Sequence, residues 1–476
     1  MKNILLVLTF FLSFLITFDL FLKEPPVWPD EPSLIYVINL FNGNLLDAYH
    51  IYPSIYTALL FNWFRIFGVS IEAQRMLSML SGIVTMIIFG FLVHSLSKFF
   101  LKKSTFRIAP LILLVTDFAF LQSTRIGRPE IFTLLFGLSS IYLLYLFISK
   151  KSNKLIFFAF SFISAVLAFL FHANGLIYLL TSSVTGFIFY RKQSIKNKKL
   201  VVLFAICFFA LFIFLLLRVM PTLTSIFARL QISGNQESWI ITVFRSKPIE
   251  FKLIYFSLSL ATILFTVFAY LRKKLELFII AFPLVLSWII LILNKDFWYA
   301  VYLVPLAILA LYILLESYYS LWQISKSSQN KFKVISLILL CFTIFLSNLK
   351  LHIDILRIEG GEKYSYQQYI TEIRQLIPDS KSVFTSAIPD PYYAFLDRKN
   401  NKLIRFPQSY IERNTFLEML NDSDFIIYNG SFSYSREDLV LNYFKLNYSK
   451  LTQIGGPEQY QGVVVELKPR DQRKNP

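Results

Sequence analysis

Ser123-Thr124-Arg125-Ile126-Gly127-Arg128-Pro129-Glu130 leads into an apolar run over 131–149 that carries no charge, and the run stops at Lys150, Lys151 and Lys154. A bilayer crossing needs roughly 20 predominantly apolar residues, and lysines gather on the cytoplasmic side of such crossings. The stretch therefore reads as one span, with a tight outer turn before it and a basic inner end after it.

Runs of the same kind recur outward from this one, near 4–22, 77–97, 108–122, 155–171, 175–190, 200–219, 253–271, 276–293, 298–316 and 333–349. With 131–149 they predict an α-helical polytopic membrane protein of about 11 transmembrane helices. The chain has 476 residues, 56% hydrophobic and 16% charged, with 51 Phe and 26 Tyr. Soluble proteins carry more charge and fewer long apolar runs. The run at 4–22 is long for a signal peptide and no small-x-small site follows it, so it is expected to stay as the first span.

The net charge is +18, from 47 Lys and Arg against 29 Asp and Glu. Because the basic residues cluster between spans, topology accounts for them, and nucleic acid is not an expected partner. Lys98–Arg107, Lys150–Lys154, Arg191–Lys199, Arg272–Lys274 and Lys326–Lys333 fall on one side. The positive-inside rule makes that side cytoplasmic; Lys2 puts the N-terminus with it, and an odd span count sends the C-terminus outside. The expected location is the plasma membrane. Cys207 and Cys341 both lie in apolar runs, so neither a disulfide framework nor a cysteine metal site is expected.

Two domains follow: residues 1–350 form the membrane part, with outer loops over 23–75, 123–130 and 220–250, and residues 351–476 form a soluble extracytoplasmic domain. In the latter, Ser382–Ser386, Leu403–Phe406, Phe425–Tyr428 and Val463–Leu467 read as strands, while Tyr366–Ile377, Ile411–Leu420 and Arg436–Phe444 read as amphipathic helices. The mixture predicts a small α/β fold. It carries neither GxGxxG nor a P-loop. Aromatics over Tyr52–Phe67 suggest short helices lying in the interface.

The candidate chemistry collects on the outer side. Asp30 and Glu31 stand together in Trp28-Pro29-Asp30-Glu31-Pro32. An acid before Pro32 caps a helix, which accounts for one carboxylate but not for an adjacent pair. Such a pair is able to take a proton, bind a sugar or hold a metal. Glu130, in the first turn of a span, suits the helix dipole in the same way. Arg125 and Arg128 suit a phosphate group or, without catalysis, lipid headgroups. Arg75 and Lys295 either sit at the interface or approach a lipid-linked phosphate. His172, in Phe171-His172-Ala173-Asn174-Gly175, is either a hydrogen-bonded structural histidine or part of a site with Asn174. Asp19 and Asp117 are acids inside spans, where acids mark function or a satisfied pair.

In order and spacing these segments resemble the GT-C fold membrane glycosyltransferases, in particular the polyprenyl-phosphate-sugar-dependent group that includes protein mannosyltransferases and the aminoarabinose transferases of lipid A. The resemblance covers roughly 1–320. It rests on Trp28–Glu31, on Tyr52-Pro53-Ser54-Ile55-Tyr56 leading to Phe64–Ser70 and Arg75–Ser78, on Thr124–Glu130, on His172–Gly175 and on Tyr299–Leu306. Ala173 stands where relatives have proline, Glu130 where many have aspartate, and Tyr52-Pro53-Ser54 lacks their double proline. The resemblance implies transfer of a hexose or pentose, with inversion, from a polyprenyl-phosphate donor to a lipid, glycan or protein hydroxyl. It implies Asp30 as base, Glu31 and Glu130 as orienting or catalytic carboxylates, and Arg75, Arg125, Arg128 and Lys295 on the donor phosphate. His172, Asn174 and Tyr56 would contact substrate, and Asp30 with Glu130 would share any divalent cation. Three rivals stand beside it. A transporter or flippase places its charges nearer the midplane. A polysaccharide polymerase or ligase uses the same kind of donor. A membrane scaffold needs no acid pair.

Overall fold

The computed structural model describes residues 54–100, 105–149, 154–192, 239–293, 299–359, 366–385, 391–395, 402–405, 413–428, 437–456 and 460–474. The expected spans at 4–22 and 200–219, together with Asp19, Asp30, Glu31 and Lys295, lie outside them. Among the described residues six helices are long and apolar enough to cross a membrane, and three shorter apolar helices accompany them. Two compact units divide the chain: one holds Ser78–Thr124 and Pro129–His352, and the other holds Met1–Leu77, Arg125–Arg128 and Ile353–Pro476.

In chain order the helices are α1 Ser54–Phe67, α2 Ile71–Phe100, α3 Ala109–Val115, α4 Phe118–Arg125, α5 Glu130–Ser149, α6 Lys154–Phe171, α7 Leu176–Lys192, α8 Trp239–Ser246, α9 Ile249–Arg272, α10 Leu275–Leu293, α11 Ala300–Ser325 and α12 Ser328–Glu359. The first unit is a bundle built around α11, whose residues from Ala300 to Glu316 are all buried. A helix that is apolar on every side belongs inside its neighbours; α3, α5, α9 and α10 supply them. Helices α5, α6 and α7 meet through hydroxyls. Ser140 Oγ lies 3.1 Å from Ser161 Oγ and 2.9 Å from Ser182 Oγ, all three buried. Small residues of this kind let membrane helices approach and hydrogen-bond across the seam.

The apolar run read as one span over 108–122 is two helices, α3 and α4, broken at Thr116-Asp117. Asp117 makes the break: its Oδ1 accepts from the Phe120 N–H at 2.8 Å, an N-cap for α4. Residues on α12 complete it. Asn348 Oδ1 accepts from the Phe118 N–H at 2.9 Å, and His352 Nε2 lies 3.0 Å from the Thr116 carbonyl. Asp117 is thus an intramembrane acid satisfied as a cap. Part of the loop expected over 220–250 is also helical, as α8 and the first turn of α9.

In the second unit α13 Tyr366–Leu376, β1 Ser382–Thr385, β2 Lys402–Arg405, α14 Arg413–Asn421, β3 Phe425–Tyr428, α15 Glu437–Asn447, β4 Tyr448–Ile454 and β5 Gly462–Leu467 build the α/β part. The sheet order is β2-β1-β3-β5-β4; β1 runs parallel to β2 and β3, and β5 runs antiparallel to β3 and β4. Alternate strand residues feed opposite cores. Val383, Phe425, Ile427 and Val464 pack with Ile370 and Ile373 of α13, while Phe384, Ile426 and Val465 pack with Phe416 of α14 and Val440 of α15. Cover on both faces explains the nearly continuous apolar character of β1 and β3.

Candidate functional site

Short-range chemistry sets the α1–α2 corner. Gly68, at φ +82, takes the left-handed conformation that ends α1, and its N–H donates to the Phe64 carbonyl at 2.9 Å. Ser70 Oγ accepts from the Ala73 N–H at 3.0 Å and caps α2. Trp63 Nε1 donates to the Ala73 carbonyl at 2.7 Å and closes the corner. Gln74 and Arg75, both buried, therefore fall in the opening turns of α2.

Gln74 Nε2 then donates to the Gly127 carbonyl at 2.7 Å. That bond brings the opening of α2 against the turn that carries Arg125 and Arg128. The turn itself is tight, with the Arg128 N–H on the Ile126 carbonyl at 2.8 Å. Arg75 and Arg128 each adjoin a partner of this bond in sequence, and Arg125 stands two residues from Gly127; guanidinium groups suit anionic oxygens. Tyr56, on α1 of the unit that holds these residues, is fully buried.

The other unit holds Glu130, His172 and Asn174. Glu130 opens α5 and is buried; the Pro129 carbonyl takes the Phe132 and Thr133 N–H groups at 3.1 Å, so the helix N-terminus starts beneath the carboxylate. His172 precedes the 3-10 turn Ala173–Gly175, and its Nδ1 accepts from the Asn174 N–H at 3.2 Å. The neutral ring then carries its proton on Nε2 and presents a donor there. Phe171 stacks on Phe132 and Phe136 of α5, centroids 5.1 and 5.4 Å apart, which ties this turn to the helix that begins with Glu130.

Two tyrosines complete the group. The His172 ring lies 5.5 Å from Tyr299 and 6.3 Å from Tyr302, and the two phenol rings are 6.4 Å apart. The fold thus sets His172 and Asn174 of the 3-10 turn beside Tyr299 and Tyr302 at the start of α11, and ties that turn to α5, the helix that Glu130 opens. An imidazole N–H and phenols in one place are able to hydrogen-bond a polyhydroxylated ligand. Gln74 and Tyr178 stood outside every segment singled out for its chemistry in the sequence, and Tyr302 entered only within Tyr299–Leu306. The signal for Gln74 was its position beside Arg75; the two tyrosines looked like ordinary members of apolar runs.

Of the pair expected to share a cation, Asp30 lies outside the described residues. Among the described residues no three His, Cys, Asp or Glu side chains group in a way that would hold a metal ion.

Solved structures with a similar fold include ArnT from Cupriavidus metallidurans in the apo state, with a TM-score of 0.55 and 10% identity over 98% of both chains. The same protein bound to undecaprenyl phosphate gives 0.56 and 11%, over 96% of this chain and 97% of that one. The apo oligosaccharyltransferase of Archaeoglobus fulgidus gives 0.52 and 11%, over 88% of this chain and 69% of that one. No protein-family model and no curated protein matches the sequence. The likeness is one of architecture: the chain has the GT-C fold of membrane glycosyltransferases.

Proposed function

We propose that this chain is a membrane glycosyltransferase that moves a sugar from a polyprenyl-phosphate donor to an acceptor hydroxyl on the extracytoplasmic side. The observation that carries the reading is the shared fold, over nearly the whole chain, with an ArnT structure that holds undecaprenyl phosphate. Arg75, Arg125 and Arg128, next to the Gln74–Gly127 bond in sequence, add a charge pattern suited to the phosphate.

In this reading the acceptor oxygen attacks C1 of the sugar from the face opposite the phosphate. The C1–O bond to phosphate breaks, polyprenyl phosphate leaves with the bonding pair, and the configuration inverts. Asp30 takes the acceptor proton. Arg75, Arg125, Arg128 and Lys295 stabilise the charge that grows on the leaving phosphate, and they act most strongly where water is excluded. To Glu130, Glu31 and the Nε2–H of His172 this reading assigns the orienting of sugar and acceptor hydroxyls, and to Asn174 and Tyr56 contacts with substrate. The transferred group is a hexose or a pentose. The likeness to the archaeal oligosaccharyltransferase favours a second version of the same reaction, in which the donor carries a longer lipid-linked glycan.

The test uses membranes supplied with polyprenyl-phosphate sugars. The wild type transfers labelled sugar and Asp30→Asn is nearly inactive. Full activity in Asp30→Asn removes that residue from the mechanism. Movement of the lipid-linked sugar across the bilayer with no transfer supports a transporter instead. Topology is checked separately: a cysteine placed at Ser431 reacts from outside intact cells, and labelling only from the cytoplasm overturns the orientation.

A further inference from the structure

The α/β part of the chain carries a cleft of about 970 Å³ at the turn end of the β4–β5 hairpin. Ligand pockets run from roughly 300 to 1,000 Å³, so this one has room for several sugar rings. Three side-chain amides line it from separate elements: Gln453 from β4, on the same sheet face as Tyr428, Gln461 from just before β5, and Gln375 from α13, which covers the opposite face. Tyr428, at the end of β3, adds a phenol face and is backed by Phe444, with ring centroids 5.6 Å apart. Glu372 adds a carboxylate, and its Oε2 accepts from the Gly455 N–H at 3.2 Å. That bond ties α13 to the hairpin turn. Gly455 holds the turn at φ +97, and a β-carbon there would fall 2.1 Å from the Tyr460 carbonyl oxygen.

We infer that this cleft binds a neutral oligosaccharide. The lining chemistry selects the class. No lysine or arginine lines the cleft among the described residues, although the chain carries a net charge of +18, so phosphate and other anions find no counter-charge. Side-chain amides pair a donor with an acceptor, which matches the adjacent hydroxyls of a sugar. Tyr428 offers a flat apolar surface to the C–H face of a sugar ring. An extended peptide added to the open edge of β4 is the rival occupant. Against it, the outer half of that edge, Tyr448, Ser449 and Lys450, takes no part in the lining, and two of the amides, Gln453 and Gln461, flank the turn. The site extends the transferase reading, since it would hold a glycan acceptor, but binding is measurable without any transfer.

The experiment is calorimetric titration of the full-length protein in lipid nanodiscs with mannotetraose, chitotetraose and cellotetraose. Saturable binding of at least one is expected, weakened about tenfold or more in the double variant Gln375→Leu/Gln453→Leu. Both side chains are exposed, and circular dichroism confirms that the variant folds; Gln461→Leu provides a second variant at the same cleft. Absence of saturable binding at millimolar sugar overturns the inference. Equal binding by wild type and both variants overturns it as well. Binding of a poly-threonine decapeptide, but of no sugar, assigns the cleft to the strand-adding rival. Undecaprenyl-phosphate binding without glycan binding sinks this inference alone, and glycan binding without transfer sinks only the transferase.

Discussion

The side-chain amide of Gln74 donates to the Gly127 carbonyl across 2.7 Å, and a β-carbon on Gly127 would fall 2.2 Å from Gln74 Cγ. Gln74 is fully buried, so its side chain has no open space to retreat into. Gly127→Ala must therefore displace the turn that bears Arg125 and Arg128. Overpacking of this kind costs about 1–3 kcal/mol. The expected outcome is a membrane protein that still folds, with a modestly lower thermal midpoint, weaker binding of undecaprenyl phosphate and slower transfer. Unchanged donor binding in Gly127→Ala would show that this contact does not place the arginines.

The arginines lend themselves to a direct measurement. A hydrogen bond to a charged group contributes about 1.5–3 kcal/mol. Arg125→Ala or Arg128→Ala should therefore weaken undecaprenyl-phosphate binding by about 10- to 100-fold. Lysine at either position restores the charge but not the planar fork, so recovery should be partial. Filter binding at two ionic strengths checks both points. Equal affinity in all variants would leave these residues to lipid headgroups.

The legible parts of this chain were those governed by local pattern. Residues 131–149 announced themselves by composition, and α5 occupies Glu130–Ser149. All four strands expected in the C-terminal part coincide with β1, β2, β3 and β5 to within one residue at each end. Strand β4 escaped because α15 passes directly into it at Asn447-Tyr448 with no turn residue between them, and because most of its side chains are exposed. The break at Asp117 escaped because a capping acid inside an apolar run looks the same as an acid inside a continuous helix. The grouping of His172 with Tyr299 and Tyr302 joins residues more than a hundred positions apart. His172 and Tyr299 stand at element ends, where periodicity carries no signal, and for Tyr302 it marks burial without saying which residues it meets.

The seam between α5 and α7 has no slack. A β-carbon on Gly137 would fall 2.1 Å from the Tyr178 ring, and that ring is fully buried. Gly137→Ala is expected to lower the thermal midpoint in detergent sharply and to reduce the yield of folded protein. Ser161→Ala, on α6, leaves the Ser140–Ser182 contact in place and should cost about 1 kcal/mol or less. Comparing the two by fluorescence-detected chromatography after heating separates close packing from hydrogen bonding. Equal losses would mean that the serines matter as much as the glycine.

Acid should loosen the α/β part through Asp424. Burial pushes its carboxyl up, but the Ser382 N–H and hydroxyl, each 3.0 Å from Oδ2, outweigh burial with help from Lys381 and Arg470 and hold it below its ordinary 3.8. A carboxyl depressed in the folded state binds its proton more readily once unfolded. Its contribution is therefore complete above 3.8 and is lost as pH falls through the lower, folded value. Asp424→Asn keeps an acceptor for Ser382 but removes the titration. Urea midpoints of the sheet, followed by tyrosine fluorescence in the full-length protein, should fall with acid more steeply in the wild type than in Asp424→Asn. The two curves should converge below the folded pKa, where Asp424 is neutral in both states. Parallel curves across the acid range would remove Asp424 from the acid sensitivity of this domain.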